Sequence, residues 1–221
     1  YALVQNLRDV FDTDAPIADI SRVFAEDSLL SGLVSKYPGI RVPGAFDRFE
    51  HMVRAILGQQ VSVRAATTLA GRIAERYGDP VPEELSANGR LSHVFPAPER
   101  LVRARLELLG ITRSRAATIR RVANAVVAGR LDARATAGAK EFAADFLSLK
   151  GIGPWTVEYT LLRAMKDPDA FPASDLGLIK ALSAGEEEKL KAREIEERAE
   201  CWRPWRAYAA LLLWHHAAAG G

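Results

Sequence analysis

The stretch LKGIGPWTVEYTLL, residues 149–162, decides how this chain is read. Residues 139–148 before it and 154–166 after it carry the apolar spacing of helices, so Leu149 to Gly153 must turn one helix into the next. Glycine reaches backbone angles that other residues resist and lets the chain approach another surface closely, so Gly151 and Gly153 predict a tight helix–hairpin–helix. Ile152, between them, is expected to plug the hairpin into the core. Pro154 suits the first position of the second helix, where a missing N–H costs nothing. The amides at such a helix start make an anion site. A phosphodiester held there positions a protein on DNA without reading its sequence. The bland alternative is a glycine-rich turn between two packed helices. Trp155 and Tyr159 lie four residues apart and share a helix face; paired aromatics are commonly core.

Working outward, no period-2 alternation is evident, and the predicted fold class is all-α. Phe46, Phe49, Val53, Ile56 and Leu57 form one apolar stripe. Val63, Ala66, Leu69, Ala70, Ile73 and Tyr77 form a second, stopped by Gly78-Asp79-Pro80. Residues 80–98 carry four prolines and read as a loop with at most one short turn. Helical patterns resume at 98–109, 113–128, 136–148, 154–166, 175–184, 186–200 and 203–218. Thr112 and Asp175 suit N-caps, and Pro204 suits a first helical position. The expected domains are a central helical lobe, 46–167, ending in the helix–hairpin–helix with its hairpin at 149–153, and a second lobe made of 1–45 plus 168–221. A cleft between the two lobes is expected.

The 221 residues are enough for a sizeable core, and the formal net charge of +2 says little by itself. The distribution says more: nine arginines and two acids lie between Arg100 and Arg134, and seven acids and four bases between Glu186 and Glu200. A basic middle beside an acidic late helix points to a polyanion partner, with solvated helix faces as the alternative. No apolar run reaches the length of a membrane span. Cys201 is the one cysteine, so the chain can form no internal disulfide and cannot supply the four thiolates of a zinc or iron–sulfur site. A reducing, cytoplasmic setting is expected. His215-His216 resembles a metal pair, but adjacent helix positions diverge by about 100° and rarely chelate together, so no metal site is expected. Trp202 and Trp205 read as core or staple residues, Glu186-Glu187-Glu188 as a solvated first turn, and Cys201 as buried and inert; His51 and His93 carry no readable signal.

The segment DAFPASDLGLIKAL sets Asp175 twenty residues after Trp155, behind Pro172 and at a helix start. A carboxylate there is usually a cap, and the helix dipole favours its ionised form. An ionised carboxylate beside an aromatic pocket, near a phosphate-binding hairpin, is what cleaving a base from a sugar needs.

With these pieces in order, the sequence resembles the helix–hairpin–helix DNA glycosylase superfamily, and within it the 3-methyladenine DNA glycosylase II (AlkA-type) group. The stretches that carry the resemblance are YPGIRVPGAFDRFEHMVRAILGQQVSVRAATTLAGRIAERYG, LLGITRSRAATIRRVANAV, LKGIGPWTVEYTLLRA, FPASDLGLIKAL and WRPWRAYAALLLWHH, covering nearly all of the chain from about residue 35. The resemblance implies that Asp175 is the catalytic aspartate and that Gly151, Ile152 and Gly153, with Lys150 beside them, grip the DNA backbone. It implies that Trp155, Tyr159 and Trp214 line the base pocket, with Leu176 and His215 next to it, and that Gln60 fills the gap left in the duplex. Related enzymes that also cut the strand carry a lysine at the position of Trp155; tryptophan cannot form that Schiff base. The implied enzyme is monofunctional. It would act without metal or organic cofactor on double-stranded DNA containing alkylated bases, as a monomer without an iron–sulfur cluster, in a bacterial-type, nucleoid-associated setting.

Larger members carry an N-terminal β-rich lobe, and this chain is expected to begin at about the helix after it. The family's wedge is best known as a leucine where Gln60 stands here. Leu176 and His215 stand where other side chains occur in relatives, which bears on lesion preference. Three other functions fit parts of the sequence: a non-catalytic helix–hairpin–helix DNA-binding module, a related glycosylase for deaminated or oxidised bases, and a helical scaffold with no nucleic-acid partner.

Overall fold

The computed structural model describes residues 2–86, 89, 91–131, 138–184 and 188–219. Arg134 and Glu186-Glu187 lie outside these, so their expected roles are not placed. Among the described residues the fold is helical, with one isolated bridge between Pro80 and His93 in place of any strand. The chain divides into two compact units, Tyr1–Phe46 with Leu161–Gly221, and Asp47–Thr160.

The Asp47–Thr160 unit is built around α4 (Arg48–Gly58). The Asp47 carboxylate accepts the Glu50 N–H at 2.6 Å and starts the helix. Phe49, His51, Met52, Val53, Ala55, Ile56 and Leu57 are all buried, so α4 is a central rod rather than a surface helix. Each large apolar side chain among them contributes about 1.5–3 kcal/mol by leaving water. Around it pack α5 (Val63–Tyr77), α7 (Arg113–Val127) and α9 (Pro154–Thr160); α6 (Pro98–Leu101) lies on α7 and α8 (Ala139–Ser148) on α9. Ser62 and Thr112 cap α5 and α7 through their side-chain oxygens. Both expected stripes lose their first member: Phe46 precedes the Asp47 cap and Val63 opens α5, and both are exposed.

The expected helix over 98–109 is broken. The Arg105 N–H donates to the Tyr77 hydroxyl at 2.8 Å, which takes it out of helical pairing, and a separate 3₁₀ turn follows over Leu106–Leu109. Likewise α9 gives way after Thr160 to a π turn, Leu161–Met165.

The other unit contains α1 (Ala2–Phe11), α2 (Ile17–Phe24), α3 (Leu30–Lys36), α10 (Leu176–Leu182), α11 (Ala192–Arg198) and α12 (Arg206–Ala218). Helix α12 packs against α3 and α10 and buries Ala207, Tyr208, Ala209, Ala210, Leu212 and Leu213. The helix expected from 186 begins only at Ala192, because the Lys191 N–H is taken by the Glu194 carboxylate at 2.6 Å and the Leu190 N–H by the Ser183 hydroxyl at 2.9 Å. Pro204 does not open α12; the helix starts at Arg206, after Trp205, and Cys201, expected to be buried, is exposed. No helix among the described residues is long and apolar enough to cross a membrane.

Buried polar groups tie the early segment to the late helices. Asp12, 4% exposed, accepts the Val42 N–H at 3.0 Å and the Tyr208 hydroxyl at 2.9 Å, and pairs with Lys166 at 3.1 Å. Burial, then the bond to Asp12, raises the Tyr208 phenol above its ordinary value. Asp27 accepts the N–H groups of Leu29 and Leu30 and the indole N–H of fully buried Trp202. Burial alone pushes the Asp27 carboxyl up, but those donors outweigh it and its pKa falls below the ordinary 3.8. A depressed folded pKa means stability that is present above the unfolded value and lost as pH falls through the folded one. Asp27→Asn is therefore expected to lower the melting temperature at neutral pH and to flatten its decline below about pH 4; an unchanged acid limb in thermal scans would contradict this.

Candidate active site

The hairpin forms as expected. Helix α8 ends at Ser148, α9 starts at Pro154, and Leu149–Gly153 joins them. Ile152 is buried, and its N–H returns to the Leu149 carbonyl at 3.0 Å. Gly151 has φ +100°, and a Cβ there would lie 2.1 Å from Thr118 Oγ1. Both facts require glycine: the angle is disfavoured for side chains, and α7 presses against the backbone. At Gly153 a Cβ would meet nothing within 4 Å, so that position faces open space. The Gly153 carbonyl accepts from Thr156 and Val157 and starts α9. The N–H groups of Gly151 and Gly153 have no acceptor among the described residues.

Arginines of the basic middle turn inward as well as out. Arg121 donates to the Lys150 carbonyl at 2.8 Å, and Arg115 donates to the Gln59 carbonyl. Arg120 forms a two-pronged pair with Glu107, whose carboxyl this guanidinium holds at about 2, and Arg100 pairs with Asp79. Arg103, Arg105, Arg113 and Arg130 are exposed. The run is thus partly a brace for the hairpin and α7, which its charge pattern did not reveal. The Lys150 residue itself is exposed.

The Gln59 side chain donates to the Gly151 carbonyl at 3.2 Å and to Thr156 Oγ1 at 3.0 Å. Gln60, the next residue, is exposed and adopts φ +56°, a left-handed angle uncommon for a side chain of its kind. Trp155 and Tyr159 stack with ring centroids 5.1 Å apart and planes 9° from parallel. Buried His51 extends the series, 5.2 Å from Tyr159. His51 carried no signal in the sequence because a histidine in an apolar helix reads as core until its neighbour is known.

In the other unit, Asp175 is the N-cap of α10, half-buried. Its Oδ1 accepts three bonds: from the Gly177 N–H at 2.8 Å, the Leu178 N–H at 3.2 Å and the Trp214 indole N–H at 2.8 Å. Two of those donors belong to the first turn of α10, and the third comes from α12. Gly177 makes the third possible, since a Cβ there would lie 3.1 Å from Trp214 Cδ1 and 3.0 Å from Asp175 Oδ1. Three donors on one oxygen fix the carboxylate plane. Leu176, immediately after it, is 77% exposed. His215 leaves the Asp175 side: its ring meets Tyr37 edge-on at 4.5 Å, while His216 lies 6.3 Å from that same ring. No group of three His, Cys, Asp or Glu side chains among the described residues is arranged to hold a metal ion.

The family model described as "HhH-GPD superfamily base excision DNA repair protein" matches residues 53–207, and that of the AlkA N-terminal domain matches residues 1–47. The segment expected to follow the family's β-rich lobe thus matches the N-terminal domain itself, through the region of α1 to α3. The chain is 39% identical over 212 residues to a probable bifunctional transcriptional activator/DNA repair enzyme AlkA of Mycobacterium tuberculosis, covering 94% of this chain and 41% of that protein. It is 35% identical over 212 residues to DNA-3-methyladenine glycosylase 2 of Escherichia coli, covering 90% of this chain and 71% of that protein. Among solved structures, 3-methyladenine DNA-glycosylase from Archaeoglobus fulgidus superposes with a TM-score of 0.81 at 27% identity, over 98% of this chain and 74% of that one.

Proposed function

The chain belongs to the HhH-GPD superfamily of base excision DNA repair proteins, and on that footing we propose that it is a monofunctional DNA glycosylase that releases alkylated bases, of the 3-methyladenine and 7-methylguanine type, from double-stranded DNA. The observation that carries this reading is the Asp175 carboxylate, held by two helix-start amides and the Trp214 indole. Helix capping needs only the two amides; the indole donor brought in over a glycine is the mark of a carboxylate whose direction matters.

The roles follow from chemistry. The hairpin amides of Gly151 and Gly153 hold a backbone phosphate. The target base leaves the stack at a cost of a few kcal/mol, less for a damaged pair, and Gln60 enters the space it vacates. A base methylated at N3 of adenine or N7 of guanine is cationic and is attracted to indole and phenol faces such as those of Trp155 and Tyr159. As the C1′–N bond breaks, the bonding pair leaves with the base, which becomes neutral, and positive charge builds on the sugar. Asp175 stabilises that charge and takes a proton from the water that adds to C1′. The product is an abasic site in an unbroken strand, because Trp155 offers no amine for a Schiff base.

Methylated genomic DNA and duplexes carrying single 7-methylguanine, hypoxanthine, uracil or 8-oxoguanine residues test this. Free methylated bases are expected by chromatography, with strands intact until alkali is added. Release of deaminated or oxidised bases alone would favour a glycosylase for those lesions; binding with no release would favour a non-catalytic module.

A further inference from the structure

We propose that Gln59 is a positioning residue that locks the Gln60 turn to the 149–153 hairpin, so that the side chain entering the duplex and the backbone gripping it stay in register. The inference rests on the glycosylase reading and adds to it a residue that neither touches the base nor reacts. In this unit Gln60 adopts φ +56° and Gly151 φ +100°. Among the described residues of the unit, Gln60 is the one non-glycine residue with a positive φ. Such a conformation persists only where the surroundings over-determine it.

Gln59 supplies that constraint from both ends. Its carbonyl is held by Arg115 of α7. Its side-chain amide donates to the carbonyl of Gly151 and to the hydroxyl of buried Thr156 in α9. One side chain therefore spans the two left-handed turns. The hairpin is held separately on its other side, where Arg121 donates to the Lys150 carbonyl and Thr118 packs against Gly151. Removing the Gln59 amide leaves that second brace in place, so the hairpin still forms, and what is lost is its fixed relation to Gln60. A misplacement of about 1 Å away from the chemistry lowers rates by up to about 100-fold.

The test is a double-mutant cycle on the full chain. Gln59→Met removes the donor at similar length and without charge. It is expected to slow single-turnover release from a 7-methylguanine duplex about tenfold, with the melting temperature close to that of the wild type. In a Gln60→Ala background the same change is expected to cost less than about twofold, because there is no wedge left to position. Thr156→Val, which removes one of the two acceptors, gives an independent arm: a smaller slowing that also vanishes in the Gln60→Ala background. An unchanged rate in Gln59→Met, or effects that multiply fully with Gln60→Ala in either arm, overturns the proposal. Absence of base release by the wild-type chain from every duplex removes the glycosylase reading and this inference with it. Release by the wild type together with a fully multiplicative cycle removes the Gln59 role alone.

Discussion

Asp175→Asn is expected to bind duplex DNA as the wild type does and to release methylated bases at least about 100-fold more slowly. The substitution separates two jobs of one side chain. Asparagine is as good an N-cap as aspartate, and its carbonyl oxygen can still accept from Gly177, Leu178 and Trp214. The start of α10 and the seat of Trp214 therefore survive, and the melting temperature stays near that of the wild type. Only the negative charge is lost, and with it the proposed stabilisation of the sugar as the base departs and the proposed acceptor for the water's proton. Gel-shift affinity measured beside single-turnover release of 7-methylguanine checks both halves. Near-normal release by the variant would remove Asp175 from the chemistry.

The second large effect is on stability. Gly151→Ala must hold a side chain at φ +100° and place its Cβ 2.1 Å from Thr118 Oγ1. The backbone strain costs about 1–3 kcal/mol and the crowding about 1–3 kcal/mol more. For a chain of this size, where each kcal/mol shifts the midpoint by about 2–4 °C, a loss of roughly 4–24 °C of melting temperature follows. Thr118→Ala in the same chain should restore part of the loss, since it removes the 2.1 Å contact with Oγ1 and leaves the strained angle and a 3.1 Å approach to the residue 118 Cβ. Gly153→Ala is the contrast: its Cβ meets open space, so the fold should tolerate it, while the methyl group intrudes where the proposed phosphate sits and weakens DNA binding. A Gly151→Ala chain that melts with the wild type would show that the hairpin is not braced by α7.

These two residues also show how far the sequence could be read. Gly151 was legible because two glycines around an isoleucine, between two helical periods, leave few ways to connect them. Asp175 was legible as a cap because it stands before an apolar helical pattern. What stayed hidden was every partner brought in from a distant segment. The Trp214 indole on Asp175, the Thr118 hydroxyl under Gly151, and the Gln59 amide on Gly151 and Thr156 join residues 33 to 97 positions apart, and local periodicity carries no trace of them. The helix ends at 101 and 192 moved for a related reason: a tyrosine hydroxyl at the first, and a serine hydroxyl and a glutamate carboxylate at the second, competed for the backbone amides. His215 shows the limit of position alone. It is next to Trp214 in sequence, yet helical rotation sends it to Tyr37.

In the proposed mechanism a fixed negative charge at residue 175 meets positive charge developing on the sugar. The most direct measurement is the affinity for two duplexes that differ at one abasic position, one carrying a neutral tetrahydrofuran and the other a cationic pyrrolidine. The wild-type chain should bind the cationic duplex more tightly by at least about tenfold, and Asp175→Asn should bind the two alike. Equal binding by the wild type, or a preference that survives in Asp175→Asn, would contradict the account.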